Sequence, residues 1–344
     1  MASLQEVAQV AGVSTSTVSR AITRPDMVNA ETRERVEAAV RTLGYRPSRV
    51  ARRLRVAHGY SDLVGLVIPD LQNPFFADLA RGVEDVAARH GYTVLIGNSD
   101  ENVEKETRYL NAMQAEAVDG IILPPSCEGR SAAVDLARAG VPLVCVDRRL
   151  DKASVDTVLV DNVRGAAEAT EHLIALGHRR IGYLEGKQGV STTRERLEGY
   201  RSALARHDIE SDPALVLAGD SRPEGARRLA ARLLEAPDRP SALLVGNGMM
   251  TLGVVEAIHD LGLRIPEDVA VVGYDDMPWA RALVPALTVV RQPGHELGSR
   301  AMELLRQRIR EPERSITTVM LQPELVVRGS CGAAAPAGQD QRGR

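Results

Sequence analysis

A chain of 344 residues has room for two or three domains with their own cores, and its 44% hydrophobic and 26% charged content is that of a folded globular protein. No stretch approaches the ~20 apolar residues of a membrane-spanning helix, no basic-then-apolar leader opens the chain, and three widely spaced cysteines (Cys127, Cys145, Cys331) suggest neither a disulfide framework nor a metal cluster. The net charge of −3 hides a segregation: residues 1–58 hold ten arginines and no lysine against five acids, so the acidic excess lies entirely in the remainder.

A basic head on an acidic body suggests that only the head meets a polyanion. A cytoplasmic, nucleoid-associated protein without membrane contact is expected. The cysteines read as small buried hydrophobes, with Cys331 a thiol in the tail.

Residues Leu4 to Ala11 predict a short helix with Leu4, Val7, Ala8 and Ala11 on one face, closed by Gly12. Ser14 can cap a second helix, Thr15 to Ile22, with Val18 and Ile22 inward. A third, from about Glu31 to Leu43, buries Val36, Ala39, Val40 and Leu43 and ends at Gly44. Three such helices make an all-α helix-turn-helix head over residues 1–46. The second helix leaves Thr15, Ser16, Thr17, Ser19 and Arg20 outward. Short hydroxyls approach phosphates and base edges closely, and arginine can take guanine in bidentate fashion.

Residues 47–60 form a basic hinge, too short and weakly apolar to stay helical alone. Paired with its copy over a minor groove it could fold on binding, with Ala51 near the groove floor and Leu54 wedged between base steps.

The stretch from Leu4 to Ile22, with Val28-Asn29-Ala30-Glu31-Thr32-Arg33-Glu34-Arg35-Val36 and Leu43-Gly44-Tyr45-Arg46-Pro47, resembles the signature of the lactose-repressor (LacI/GalR) family. The resemblance continues to about Arg328. It implies a homodimer on a near-palindromic operator, with Thr15, Ser16 and Arg20 reading bases. Ser14, Thr17 and Ser19 would hold phosphates, Asn29 would join the DNA contacts, and Ala51 and Leu54 would be hinge contacts.

From Leu63 onward short β-rich runs alternate with amphipathic stretches: Val64–Pro69, Thr93–Asn98, Gly120–Leu123 and Leu143–Asp147, then Ile181–Leu184, Leu243–Gly246 and Val269–Tyr274. This predicts an α/β body of parallel sheets with helices on both faces, where ligands sit beyond the strands' carboxyl ends. Asn73, Phe75 and Phe76 follow the first strand and Asp147-Arg148 the fourth. Arg196 lies in a loop after Ile181–Leu184, Asn247 and Asp275 follow later strands, and Gln292 follows the Leu287–Val290 run. Planar Asp, Asn and Arg groups suit vicinal hydroxyls, aromatic rings suit a sugar's C–H face, and no metal-ligand clustering is present. Trp279 falls in a loop expected near the cleft mouth.

The body is also similar to periplasmic sugar-binding proteins, whose two lobes close on a small molecule. That resemblance places Asn73, Phe75, Phe76, Asp147, Arg148, Arg196, Asn247, Asp275 and Gln292 around the cleft, in a ribose-like pattern. Three positions depart from it: Pro124 stands where the pattern has an amide, Asp220 where it has an aromatic, and Gly248 where it has an acid. Lobe 1 is expected over about 61–160 and 291–321, lobe 2 over about 161–290 and 322–328, and a disordered tail over 329–344.

Enzyme fingerprints fail. Gly246-Asn247-Gly248 lacks the third glycine of a dinucleotide loop, Gly182 to Lys187 is one residue short of a phosphate loop, and no serine elbow or His-Glu-x-x-His occurs. The expectation is a non-enzymatic, cofactor-free repressor controlled by a small sugar, a ribose-like pentose first. The alternative is the same family with a purine or other non-sugar effector.

Overall fold

The computed structural model describes residues 2–23, 25–45, 61–129 and 131–333. The chain divides into two compact units, Met1–Ser61 and Asp62–Arg344.

In the first unit, α1 (Leu4–Ala11), α2 (Thr15–Thr23) and α3 (Ala30–Leu43) enclose a small core of Val7, Ala8, Ala11, Val18, Ala21, Val36 and Ala39. Ser3 opens α1 with a capping box: its hydroxyl accepts from the Glu6 N–H, and the Glu6 carboxylate accepts from the Ser3 N–H. Gly12 closes α1 at φ 64, a left-handed conformation open to glycine without steric cost. The Arg35 guanidinium then donates to the carbonyls of Ala11 (2.5 Å) and Gly12 (3.2 Å), pinning the turn to α3. Leu4, Ile22, Val40 and Leu43 are only partly buried, because three short helices cannot cover their own rim.

The second unit holds two six-stranded sheets. In the first, β1 (Leu63–Ile68), β2 (Thr93–Asn98), β3 (Gly120–Leu123), β4 (Leu143–Val146), β5 (Asp156–Val160) and β11 (Thr318–Leu321) run parallel in the order β11-β5-β4-β3-β1-β2. The second contains β6 (Ile181–Glu185), β7 (Val216–Ala218), β8 (Ala242–Val245), β9 (Ala270–Tyr274), β10 (Thr288–Arg291) and β12 (Glu324–Val326) in the order β12-β10-β9-β8-β6-β7. It is parallel except at its edge, where β12 runs antiparallel to β10 with Val289 opposite Val326. β1, β3, β4, β5, β6, β8 and β9 are buried throughout, as expected of strands covered on both faces.

Helices α4 (Pro74–Arg89), α5 (Val103–Ala115) and α6 (Ala133–Arg138) follow strands of the first sheet. Helices α7 (Asn162–Ala175), α8 (Ser191–Arg206), α9 (Pro223–Leu234) and α10 (Gly248–Asp260) belong to the second. After β10 the chain returns through α11 (Gly294–Arg310), which packs on α4, to β11 and finally to β12. The lobes therefore interleave, and three chain crossings join them.

The apolar-run pattern predicts neither β5, β7, β11 nor β12. β5 opens on Asp156, whose fully buried carboxylate accepts from Arg308 (2.9 Å), Arg314 (3.1 Å) and the Thr317 N–H (2.8 Å). β7 and β12 are three-residue edges, and β11 is an edge strand with alternating exposure.

The expected tail needs correction at its start. Gly329–Cys331 form a 3-10 turn with Ser330 and Cys331 fully buried. The Ser330 hydroxyl donates to the Val271 carbonyl (2.7 Å) and accepts from the Thr288 N–H (2.8 Å), so composition alone misjudged a segment anchored by hydrogen bonds. Cys331 is correspondingly no tail thiol: its sulfur lies 3.2 Å from His172 Nε2 and 3.1 Å from the Thr288 hydroxyl.

Candidate ligand cleft and nucleic-acid interface

Strand ends of both sheets converge on one cleft. Its walls include Asn73, Phe75, Phe76 and Arg148 from lobe 1, and Arg196, Asn247, Asp275 and Gln292 from lobe 2 and its return strand. Asp147 stands just behind, buried next to Arg148.

Asn73 and Asn247 open α4 and α10. Their side-chain carbonyls accept from the N–H groups of Phe75 (3.0 Å) and Met250 (2.9 Å). With the carbonyls so committed, each asparagine has its NH2 group to offer the cleft. Phe75 and Phe76 meet edge to face, ring centroids 5.0 Å apart, and form the apolar wall.

Arg196, expected in a loop, lies instead on α8 and is the centre of lobe 2's contribution. Its guanidinium lies 4.0 Å from the Tyr274 ring centroid and donates to Asn162 Oδ1 (2.8 Å), the Gly246 carbonyl (2.6 Å) and Gln292 Oε1 (3.1 Å). Gln292 in turn donates to Asp275 Oδ1 (2.6 Å), and the Gly248 N–H donates to Asp275 Oδ2 (3.1 Å). A Cβ on Gly248 would meet Met277 at 2.6 Å and Asp275 Cβ at 3.0 Å, so an acid at that position has no space beside this network.

Lobe 1 is different. Asp147 Oδ1 and Arg148 Nε are both buried without a hydrogen-bond partner, although Nε lies 3.4 Å from Asp147 Oδ2. The other edge of Arg148 is fully engaged: Nη1 and Nη2 donate to the two carboxylate oxygens of Glu101 at 2.8 and 2.6 Å. Burial pushes the Asp147 carboxyl up to about 6, against the pull of Arg148 and Arg196, with Asp275 and Glu101 adding to the rise. The hollow enclosed by these walls is about 30 Å³, room for water but not for a sugar, and a second of about 320 Å³ adjoins it along Phe75, Asp275 and Gln292.

Thr192, Thr193, Gly186, Val190 and Ser221 also line the cleft and were not expected from the sequence. Trp279, expected near the mouth, packs partly buried against the hydrophobic core of lobe 2 instead. Asp220 is exposed, and its carboxylate accepts from the Arg222 N–H (3.0 Å).

In the head, Ser14, Thr15, Ser16 and Arg20 are exposed on the first turns of α2, with Thr17 and Ser19 partly so. The Ser14 hydroxyl accepts from the Thr17 N–H at 3.1 Å and bonds the hydroxyls of Thr17 (2.8 Å) and Ser16 (2.7 Å). Asn29 has a structural task as well, capping α3 by accepting from the Thr32 N–H at 2.8 Å. Ala51 and Leu54 lie outside the described residues. Among the described residues no group of three or more His, Cys, Asp or Glu could hold a metal, and no helix is long and apolar enough to cross a membrane.

Comparison with known proteins gives a consistent picture. Residues 3–48 match the model of bacterial regulatory proteins of the lacI family, and residues 170–331 match that of periplasmic binding protein-like domains. A ribose operon repressor of Halalkalibacterium halodurans is 36% identical over 95% of this chain and 96% of its own. The transcriptional repressor PurR of Aliivibrio salmonicida is 33% identical over 96% of this chain and 99% of its own. Among solved structures, the lac repressor dimer bound to operator and the anti-inducer ONPF superposes with a TM-score of 0.84. It is 30% identical and covers 96% of this chain and 99% of that one.

Proposed function

The chain belongs to the LacI family of bacterial transcriptional repressors, and on that premise we propose that it is a homodimeric operator-binding protein controlled by a small sugar, a ribose-like pentose by preference. The observation that carries the sugar reading is the Asp147–Arg148 pair. Two buried polar atoms, Asp147 Oδ1 and Arg148 Nε, lack hydrogen bonds, and unmet groups of this kind are costly unless a ligand supplies the partner. One acceptor next to one donor suits a hydroxyl pair on adjacent carbons, with the Phe75–Phe76 wall for the ring's apolar face. The ribose operon repressor among the relatives supports this choice.

Operator recognition rests on α2. Thr15, Ser16 and Arg20 reach base edges in the major groove, Ser14, Thr17 and Ser19 hold phosphates, and Asn29 offers its amide NH2 to the backbone. Ala51 and Leu54 belong to the hinge that pairs with its copy over the minor groove. Sugar acts through its different affinity for the lobe arrangements that do and do not permit hinge pairing, a coupling of ~1–3 kcal/mol in typical cases.

Calorimetric titration of the dimer with D-ribose, D-xylose, D-glucose, guanine and hypoxanthine tests the effector. Saturable binding of one sugar, lost in Arg196→Ala, supports the reading. Uptake of a purine alone replaces it with the nucleobase alternative suggested by the PurR relative.

A further inference from the structure

We infer that Glu101, which does not line the cleft, positions Arg148 and cancels its charge, and so sets the pocket for neutral sugars against phosphorylated ones. The inference rests on the sugar reading above and adds a specificity residue to it.

Glu101 sits in the turn between β2 and α5. It and Asp100 adopt consecutive left-handed conformations, φ 57 and 51, which non-glycine residues avoid unless their surroundings impose it. Those surroundings are visible. The Ser99 N–H donates to the Ile68 carbonyl at 2.8 Å, the Asn102 N–H donates to Ser99 at 2.9 Å, and the Asp100 carboxylate accepts from Asn98 (2.6 Å) and from Lys105.

The turn delivers the Glu101 carboxylate to Arg148 in fork-to-fork geometry. Arg148 Nη1 also lies 3.3 Å from the Pro125 carbonyl, so the terminal edge of the guanidinium is fixed on lobe 1. Only the Nε edge, next to Asp147, is left for a guest. Side-chain exposure is 13% for Glu101 and 7% for Arg148, so neither charge is well screened by water. Burial opposes ionisation of Glu101, but the Arg148 charge and hydrogen bonds, helped by Lys187, hold its carboxyl below the ordinary range.

Arg148 therefore lies between two carboxylates, Asp147 and Glu101. A guest at its Nε edge meets no net positive field from this side, which favours a hydroxyl and disfavours a phosphate. From the other lobe, Lys187 donates to the Glu101 carbonyl, with Nζ 3.9 Å from Glu101 Oε2. Arg149–Glu195 and Arg194–Glu128, each at 3.0 Å, cross the same rim. Glu101 thus connects the pocket's cation to the opposite lobe. Glutamine keeps the volume and one acceptor but removes the charge: a carboxylate that only held Arg148 in place would, when replaced, cost stability and both affinities alike, whereas a charge-cancelling one changes the ratio between neutral and phosphorylated guests.

The test is calorimetry on the full-length dimer with two matched pairs: D-ribose with D-ribose 5-phosphate, and D-glucose with D-glucose 6-phosphate. The wild type should prefer the neutral member of the pair it binds by at least about tenfold. Glu101→Gln should narrow that preference by about tenfold or more, through weaker neutral-sugar binding and stronger phosphate binding. Lys187→Met removes a cation that faces the same carboxylate and should move the ratio the other way, further towards the neutral member. If the glutamine variant fails to fold, Glu101→Met repeats the test. A folded Glu101 variant with the wild-type ratio overturns the inference and leaves the sugar reading standing, as does a wild type that prefers the phosphate. A wild type that binds none of the four overturns the inference, and one that also binds no other sugar overturns the sugar reading with it.

Discussion

Asp147 and Asp275 occupy the same place in the two lobes. Each follows the fourth strand of its sheet in chain order, β4 or β9. Each has left-handed backbone, φ 65 and 64, and each N–H donates into the neighbouring strand, to Val158 O (2.8 Å) and Val290 O (2.9 Å). Aspartate tolerates this conformation better than most residues, and its recurrence at matched strand ends marks both as positions where the fold accepts strain. Their carboxylates differ, however. Asp275 is hydrogen-bonded by Gln292 and Gly248, whereas Asp147 Oδ1 has no hydrogen-bond partner. Of these two matched carboxylates, the one in lobe 2 is satisfied and the one in lobe 1 carries the unmet demand.

That asymmetry makes Asp147→Asn a test of stability against function. The folded carboxyl is raised from 3.8 to about 6. The ionised form therefore costs stability above pH 6, and the cost disappears as pH falls from 6 towards 4. At pH 7.5 the asparagine substitution should stabilise the ligand-free protein by up to about 3 kcal/mol, with the gain vanishing near pH 4. Sugar affinity should fall at the same time, because the acceptor is weakened. In the wild type, affinity at pH 5 should be about tenfold below that at pH 7 if the carboxylate is the form that binds. Thermal melts and calorimetry across pH 4–8 check both. A wild-type affinity flat over pH 5–7 would remove Asp147 from the ligand contacts.

Gly248 replaces an acid expected from the sugar-binding pattern, and the structure shows why that acid cannot simply be restored. Gly248→Asp would push its Cβ into Met277 and Asp275 and add a like charge next to Asp275. Overpacking of this kind costs about 1–3 kcal/mol, and repulsion should break the Gln292–Asp275 hydrogen bond. Gly248→Ala should show the steric part alone, with a lower Tm. A melting temperature unchanged in the alanine variant would mean that Met277 yields freely.

Ser330 anchors the C-terminal turn with two buried hydrogen bonds, to Val271 O and from Thr288 N. Ser330→Ala strands both backbone groups, at a cost of about 1–3 kcal/mol. In a domain of this size that corresponds to a Tm lower by roughly 2–10 °C. Operator and sugar affinities of the folded fraction should be unchanged, since Ser330 is not among the cleft or α2 residues. Scanning calorimetry decides.

The cleft residues visible in the sequence share one property: they follow apolar strand runs, where the α/β architecture exposes side chains to ligands. Asn73, Arg148, Asn247 and Asp275 were legible for that reason. Thr192, Thr193 and Ser221 were not, because small hydroxyls next to a helix start look like ordinary caps. Glu101 was hidden more deeply. Its approach to Arg148, 47 residues away, depends on a double left-handed turn that no local pattern announces. Strand β5 was hidden by Asp156, a charge that reads as a loop residue until Arg308 and Arg314 arrive from the far end of the chain. Periodicity reports which face is apolar; it is silent on polar residues whose partners are remote.

Arg20 gives the sharpest test of the DNA-binding surface. It is exposed on α2, one turn beyond Ser16 and next to the partly exposed Ser19, and it is the long cation among short hydroxyls. If it takes a guanine edge in bidentate fashion, Arg20→Ala should cost about 1–3 kcal/mol on the preferred operator and relax selection at one base pair per half-site. The salt dependence of binding should change little, because a base contact releases few counterions. If Arg20 instead clamps a phosphate, affinity should fall uniformly across sequences and the slope of log K against log salt should drop by about one per half-site. Binding measured on a library of single-base operator variants at two salt concentrations separates the two. A uniform loss with a reduced slope would leave Thr15 and Ser16, both small, as the base readers of α2.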